Sequence, residues 1–452
     1  MALPDLIEVV PLAAPVRAEI TVPGSKSITN RALILAALAD GEVMLTGALW
    51  SEDTQIMVEC LQKLGFEICV ENDPDEFCNR TITVNGLGGK IPNGGTAEKP
   101  LELFVGNAGT AARFLAAFVC LGNGVYSLSG VPRMHERPQA ALFQALRELG
   151  YRVESEKGND KLPVIISHRV TESTEKKSDS VSSGSLWQKK CKVSIEESSQ
   201  FASALLLCAK VGGWKIEVVG ENAEESPYVA MTSKMIEAFP HHGGKFQIEP
   251  DASSASYFFG ASALIETQLV NSILDFSIKV KEVGKSLYQI DSAFPMFLPI
   301  PNVGSPKTIS RQYDLGDSIM TAVVVAPFCE NSVQFTDLSR LRLQETERVV
   351  ALRTELTKCG AKVIEEGDTL TVYPSQLHGA EIETYNDHRM AMCFAVLGLK
   401  VSGIKIKNPA CVKKTFPNFF QKLATMSPHG LGATILDAKT GRKLKHEDLF
   451  AD

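Results

Sequence analysis

The stretch PGSKSITNR, Pro23 to Arg31, decides how the rest of the chain is read. A strand-like run, Ala18 to Val22, leads into Pro23 and Gly24, and the alanine-rich run RALILAALA follows. Ser25, Lys26, Ser27, Thr29, Asn30 and Arg31 therefore fall on the first turn of a helix. There, free backbone N–H groups and the helix dipole already favour an anion. Taken alone, the turn also fits a plain helix start, with Ser25 or Ser27 as the cap and Lys26 and Arg31 solvated. Recurrence favours the first reading. Leu101 to Val105 is followed by GNAGTAARFLAAFVCL, again glycine, small polar residues, an arginine and an alanine-rich helix.

Four more helix starts of this kind follow: Ser198-Ser199-Gln200 before FASALLLCAKV, Asp251 to Ser256 before YFFGASALI, Asp317-Ser318 before IMTAVVVAPF, and Asn386 to Arg389 before MAMCFAVLGL. The first two units are spaced by about 80 residues, which makes the chain an internal repeat. Each unit reads as α/β: polar turn, helix, short strand, second helix, strand. The first has a strand over Gly41–Gly47, a helix from Asp53 to Leu64 and a strand over Phe66–Val70. The second has Val125–Ser129, Pro138–Leu149 and Tyr151–Glu154, and the third Lys215–Val219 and Pro227–Phe239. No unit is large enough to bury its own helix face, so six units are expected to assemble three by three, with their helix-starting turns facing one cleft. Residues 171–190, rich in Ser and Lys, read as a flexible surface insertion. The prolines between Phe276 and Arg311 preclude a long regular helix there, and the segment after Met426 reads as an appendage outside the repeats.

Composition narrows the function. The chain has 452 residues, 44% hydrophobic and 22% charged, as in a soluble protein of two domains. It has no apolar run long enough to span a bilayer and no secretory leader pattern, so a cytoplasmic protein without membrane contact is expected. The ten cysteines sit mostly in apolar runs without metal-ligand spacing, which fits a reducing compartment and no metal site. A net charge of -7 without a basic stripe argues against nucleic acid. Cations gathered in one cleft of an acidic protein point instead to small anionic substrates. The candidates are Lys26, Arg31, Arg113, Arg133, Arg137, Arg348, Arg389, Lys413 and Lys414, a set suited to phosphate and carboxylate. Asp317, at the fifth helix start, is either a helix cap or a base. Glu345, in LQETER, is either a surface partner of Arg348 or a proton-transfer group.

The chain resembles the 5-enolpyruvylshikimate-3-phosphate synthases over nearly its whole length. PGSKSITNRALILAAL, LFVGNAGTAARF, GVPRMHERP, SSQFASALL, ESPYV, DASSASYF, QETER, TYNDHRMAMCF and KKTFPNFF carry the resemblance, in the family's order. The segments are most similar to the fungal form, ordinarily one domain of a five-activity polypeptide. The resemblance implies an α/β, two-domain, inside-out enolpyruvyl transferase fold of six βαβαββ repeats, three per domain. Residues 1–21 with 250–452 would form one domain and 22–249 the other. It implies transfer of the enolpyruvyl group of phosphoenolpyruvate to shikimate 3-phosphate with release of phosphate, without metal or organic cofactor. Carried over by position, Lys26, Asn107, Gly109, Arg137, Arg348, Arg389 and Lys414 would hold phosphoenolpyruvate. Ser27, Arg31, Ser198, Ser199, Gln200, Ser226, Tyr228, Asp317 and Gln344 would line the acceptor site. Lys26, Asp317 and Glu345 would move the protons. A monomer is expected.

Three departures stand out. The family's lysine before the glutamate of the fifth unit is Gln344 here, and the asparagine four residues earlier is Arg340. The family's Q-G-D segment reads Gln289-Ile290-Asp291, and Phe114 stands where bacterial forms often have proline. The altered acceptor side leaves a second reading, a repurposed enzyme of specialised metabolism acting on another anionic substrate. A peptidoglycan-precursor transferase would carry a reactive cysteine where PRMHERP has none. A non-catalytic scaffold is disfavoured because Lys26, Asp317 and Glu345 are all retained.

Overall fold

The computed structural model describes residues 3–168, 189–220, 226–265, 267–270, 273–283, 286, 288–299 and 307–451. Its plan follows from six helices that are apolar nearly all round: Lys26–Leu38, Gly109–Phe118, Gln200–Gly212, Ala252–Ile265, Ile319–Val325 and His388–Gly398. A helix without a polar face has to be enclosed. The first three pack on one another inside one apolar core drawn from residues 28–248, and the last three inside another drawn from residues 3–22 and 255–451. Small residues let the backbones approach: a Cβ added at Gly260 would sit 2.8 Å from Thr321 Cγ2 on the next helix.

Sheets wrap the outside. Four have four strands in a shared pattern of one parallel and two antiparallel pairings. Their strand orders are Gly244–Gln247, Asp40–Leu49, Asn79–Leu87, Ile68–Asn72; Leu101–Phe104, Tyr126–Ser129, Val164–His168, Tyr151–Ser155; Thr308–Ser310, Val333–Thr336, Thr369–Val372, Val363–Glu366; and Glu381–Ile382, Ile404–Lys407, Leu6–Val9, Ile435–Asp437. In the second and third of these the strand–helix–strand crossover, second helix and closing hairpin give the βαβαββ order in full. The other two units keep the parallel pair, Lys189–Ser194 with Trp214–Val219 and Ala18–Ile20 with Ile278–Val280. Alternating burial along the strands, as in Val333–Thr336, turns one face to the helices and one outward.

Some expectations need correcting. The segment after Met426 is built into the fold: Ile435–Asp437 pairs with Leu6–Val9, and Leu431, Ala433, Ile435, Leu444 and Leu449 are buried. Spaced glycines and prolines there mark turns between short core contacts. Most of the 171–190 insertion lies outside the described residues, and Lys189 and Lys190 begin a strand. Between Phe276 and Arg311 the described residues form short strands, a 3-10 turn and the four-residue helix Phe294–Phe297.

The chain passes between the two cores twice, side by side. Gly24 and Pro250 form an antiparallel bridge, flanked by Ser25 N–H to Glu249 O and Asp251 N–H to Pro23 O, each 2.8 Å. Only glycine fits at 24, since a Cβ would lie 2.0 Å from Gly47 O. Nearby, the buried Glu76 accepts from Lys422 (2.6 Å), Asn418 (2.8 Å) and Thr21 (2.9 Å), tying the cores beside the crossing.

Candidate active site

All six helix-starting turns reach one cleft between the cores. Its wall includes Ser25, Lys26 and Ser27; Gly109 and Thr110; Ser198, Ser199 and Gln200; Asp251 and Ser253; Asp317; and His388 and Arg389. Six helix N-termini give a field that favours anions before any side chain is counted. Cations add to it, and they fall into two groups. Arg31, Arg113 and Arg137, all from the 28–248 side, form no ion pair with a described carboxylate. Arg31 donates to Thr232 Oγ1 (2.8 Å), Ser27 O (2.8 Å) and Ser203 Oγ (3.1 Å) and lies over the Phe114 ring. Arg113 donates to Gln200 Oε1 (2.7 Å) and Pro138 O (3.3 Å), and Arg137 to Asn107 O (3.3 Å). Burial pulls Arg31 down to about 10. Burial and the neighbouring Arg137 pull Arg113 down to about 9. Both remain charged at neutral pH, so the wall holds buried positive charge that an anionic ligand would neutralise.

The second group is paired. Lys26 Nζ lies 2.9 Å from Asp53, and Lys414 Nζ lies 3.2 Å from Glu345 and 3.0 Å from Asn107 O. Arg348 is gripped by both oxygens of Asp387 (2.7 and 3.1 Å) and by Glu345 (2.9 Å), and it also donates to Gln344 Oε1. Arg311 meets Asp317 at 2.8 Å, and Arg389 meets its other oxygen at 3.5 Å. Burial alone would raise Asp317, but Arg389, Arg311 and Arg348 outweigh it and hold the carboxyl below its ordinary range. Glu345 is likewise buried, and Lys414, Arg348 and Arg137 hold it well below its ordinary range. Both acids stand ionised at neutral pH. Asp317 is not a helix cap, since Ser318 precedes the helix, and Glu345 lies before the Arg348–Lys358 helix rather than on its surface.

The cleft gathers most of the residues singled out in the sequence: Lys26, Ser27, Arg31, Gly109, Arg137, Ser198, Ser199, Gln200, Tyr228, Asp317, Gln344, Glu345, Arg348 and Arg389. Three stand behind its wall. Ser226 is buried at the start of helix Pro227–Ala238, and Asn107 and Lys414 line an adjoining cavity with Tyr385 and Lys413. Arg133 lines that cavity too, paired with Glu136. Sequence reasoning missed Asp53, Asp251, Asp291, Arg311 and His388. His388 is 1% exposed with neither ring nitrogen hydrogen-bonded among the described residues, Nδ1 lying 3.7 Å from Asp387 Oδ1; burial, then Lys26, holds it neutral. Two members of the altered Q-I-D segment brace the cleft: Gln289 Oε1 accepts from Ala252 N, and Asp291 Oδ1 accepts from Gly316 N and Ser318 N.

The chain matches the family described as EPSP synthase (3-phosphoshikimate 1-carboxyvinyltransferase) over residues 11–242 and 240–423. It is 36% identical over 451 residues to a 3-phosphoshikimate 1-carboxyvinyltransferase of Trichormus variabilis, covering 93% of this chain and 99% of the relative. A chloroplastic relative of the same description from Solanum lycopersicum is 35% identical, covering 91% and 82%. In structure the chain is similar to the EPSP synthase of Acinetobacter baumannii (TM-score 0.69, 20% identity, 95% and 99% covered). It is also similar to the enolpyruvyl transferase NikO of Streptomyces tendae (TM-score 0.65, 15% identity, 98% and 99% covered).

Proposed function

Because the chain belongs to the EPSP synthase family, we propose that it transfers the enolpyruvyl group of phosphoenolpyruvate to the 5-hydroxyl of shikimate 3-phosphate and releases phosphate. The observation that supports this most strongly is a cleft where six helix starts and several arginines that form no ion pair among the described residues, Arg31, Arg113 and Arg137 with them, meet two ionised acids. Two anionic substrates would supply the missing counter-charge, and fixed dipoles in a closed site stabilise charge that develops on their oxygens.

The residues divide by what each can do. Arg137, Arg389, Lys26 and the backbone at Gly109 hold phosphoenolpyruvate, with Arg348, Lys414 and Asn107 as the frame behind them. Ser27, Ser198, Ser199, Gln200 and Tyr228 face the acceptor, with Arg31 and Ser226 supporting that wall. Asp317 takes the proton of the acceptor hydroxyl as its oxygen bonds to C2 of phosphoenolpyruvate. The methylene carbon gains a proton in that step, with the Lys26 ammonium as the donor held in place by Asp53. The methyl group loses a proton as the C–O bond to phosphate breaks, and Glu345, kept ionised, is placed to accept it.

The two cores are read as two domains, residues 1–21 with 250–452 and residues 22–249, hinged at the Gly24–Pro250 crossing and closing on the substrates. The protein is proposed to act as a monomer. Nine of the ten cysteines are buried, which fits small core hydrophobes of a reducing compartment such as the cytoplasm. The test is phosphate release from phosphoenolpyruvate with shikimate 3-phosphate, with Asp317→Ala as control. Turnover of about 1 per second or faster is expected, and a folded protein without turnover refutes the proposal.

A further inference from the structure

The departure at position 344 removes a cation from the acceptor wall, and the structure shows what Gln344 does instead. Its Nε2 donates to Asp317 Oδ1 at 3.3 Å, while its Oε1 accepts from Arg348. Arg340 does not fill the gap. Its Nη2 and Nε donate to the carbonyls of Ile195 (2.8 Å) and Glu196 (3.3 Å) across the cleft.

Another guanidinium stands at the same carboxylate. Arg311 donates from Nη2 to Asp317 Oδ1 at 2.8 Å, is 7% exposed and lines the cleft with Tyr228 and Gln344. Its Nε has no partner among the described residues. A buried N–H left unmade is costly unless a ligand completes it. The side chain starts from a firm base: strand Thr308–Ser310 is paired with Val333–Thr336, Arg311 N–H bonds Thr336 O at 3.1 Å, and Ser310 N–H bonds Asp314 at 2.8 Å. A side chain on a braced strand end keeps its direction.

We propose that Arg311 is the acceptor-binding cation of this chain, holding an anionic oxygen of the acceptor while it keeps Asp317 turned toward the reacting hydroxyl. This assignment rests on the reaction proposed above, in which that oxygen belongs to the phosphate of shikimate 3-phosphate. The charge absent at position 344 returns from the residue that follows strand Thr308–Ser310. A planar fork replaces a point charge, which favours a phosphate able to accept two parallel bonds.

The test is steady-state kinetics on wild type, Arg311→Gln, Arg311→Lys and the double variant Arg311→Gln with Gln344→Lys. Loss of one charge-assisted bond should raise KM for shikimate 3-phosphate by about 10- to 100-fold in Arg311→Gln. KM for phosphoenolpyruvate should stay within about threefold. Arg311→Lys should fall between wild type and Arg311→Gln, and a lysine at 344 should recover at least half of the loss on a logarithmic scale. A purely structural role would raise both KM values together and would not be relieved from position 344. An acceptor KM within about threefold of wild type in Arg311→Gln, or an equal rise in both KM values, overturns the proposal. Wild type without turnover refutes the reaction itself and takes this assignment with it, whereas wild-type turnover with an unaffected Arg311→Gln overturns this assignment alone.

Discussion

Substituting Gly109 by alanine should weaken phosphoenolpyruvate binding through a side chain that the substitution does not remove. A Cβ at 109 would lie 2.7 Å from Arg137 Nη1 and 2.8 Å from Cζ and Nη2, against an ordinary contact of 3.4–4 Å. The guanidinium must retreat by about 0.7 Å, a displacement that costs up to about 100-fold when it misaligns a binding group. Arg137 can make that move, since its one described hydrogen bond is 3.3 Å long. Losing one charge-assisted bond to the donor amounts to ~1.5–3 kcal/mol, so KM for phosphoenolpyruvate should rise about 10- to 150-fold. The fold itself should be unharmed, since alanine is the better helix former by about 1 kcal/mol and Gly109 opens a helix. The assay is KM for phosphoenolpyruvate at saturating shikimate 3-phosphate, in wild type, Gly109→Ala, Arg137→Ala and the double variant. If the effect passes through Arg137, Gly109→Ala should add less than about threefold in the Arg137→Ala background. An unchanged KM in the single variant, or the full effect without Arg137, refutes the reasoning.

Asp317→Ala should leave phosphoenolpyruvate binding within about threefold and cut turnover by about 100-fold or more; equilibrium binding and phosphate release together check this, and full activity would show that the proton goes elsewhere. His388 is buried neutral with its pKa held below the unfolded value, so stability is complete above about pH 6.5 and is lost as pH falls from there toward the folded pKa. Unfolding free energy should therefore drop by about 1.4 kcal/mol per pH unit below 6.5, with that slope smaller in His388→Gln; equal slopes in urea titrations would count against it. Glu76→Ala should cost ~3–5 kcal/mol, because it leaves the largely buried Lys422 ammonium without its carboxylate, bonded only to Thr21 Oγ1, and takes the acceptor from Asn418. A thermal midpoint equal to wild type would show the pin to be incidental.

The repeat was legible in the sequence because each unit announces itself twice, by a polar turn and by an apolar helix with no solvent face. Lys26, Asp317 and Arg389 could be named because helix starts are local. What escaped notice depends on meetings between distant segments. Asp53 looks like an ordinary acidic residue in the first turn of helix Glu52–Lys63, and only the packing of that helix sets it against Lys26. Arg311 lies beyond a proline-broken stretch with no motif, and parallel pairing to Val333–Thr336 carries it to Asp317. The tail after Met426 reads as loose chain because of its glycines and prolines, whereas in the fold they turn short segments into the core. Glu345 and Arg348 form the pair foreseen at their spacing, but inside the cleft rather than on a helix surface.

The strand Leu6–Val9 lies between Ile404–Lys407 and Ile435–Asp437, and this sets an order of events on the ribosome. The segment around residues 28–248 carries its buried apolar core within itself once it has emerged, while polar ties such as Glu76 to Lys422 come later. Leu6–Val9 must wait for neighbours made about 400 residues later. At about 5–20 residues per second that delay is roughly 20–80 s, during which Ile7 and Val9 have no sheet to cover them. A nascent chain halted before Ile404 would thus present one finished body and, ahead of it in the chain, an apolar strand open to chaperones.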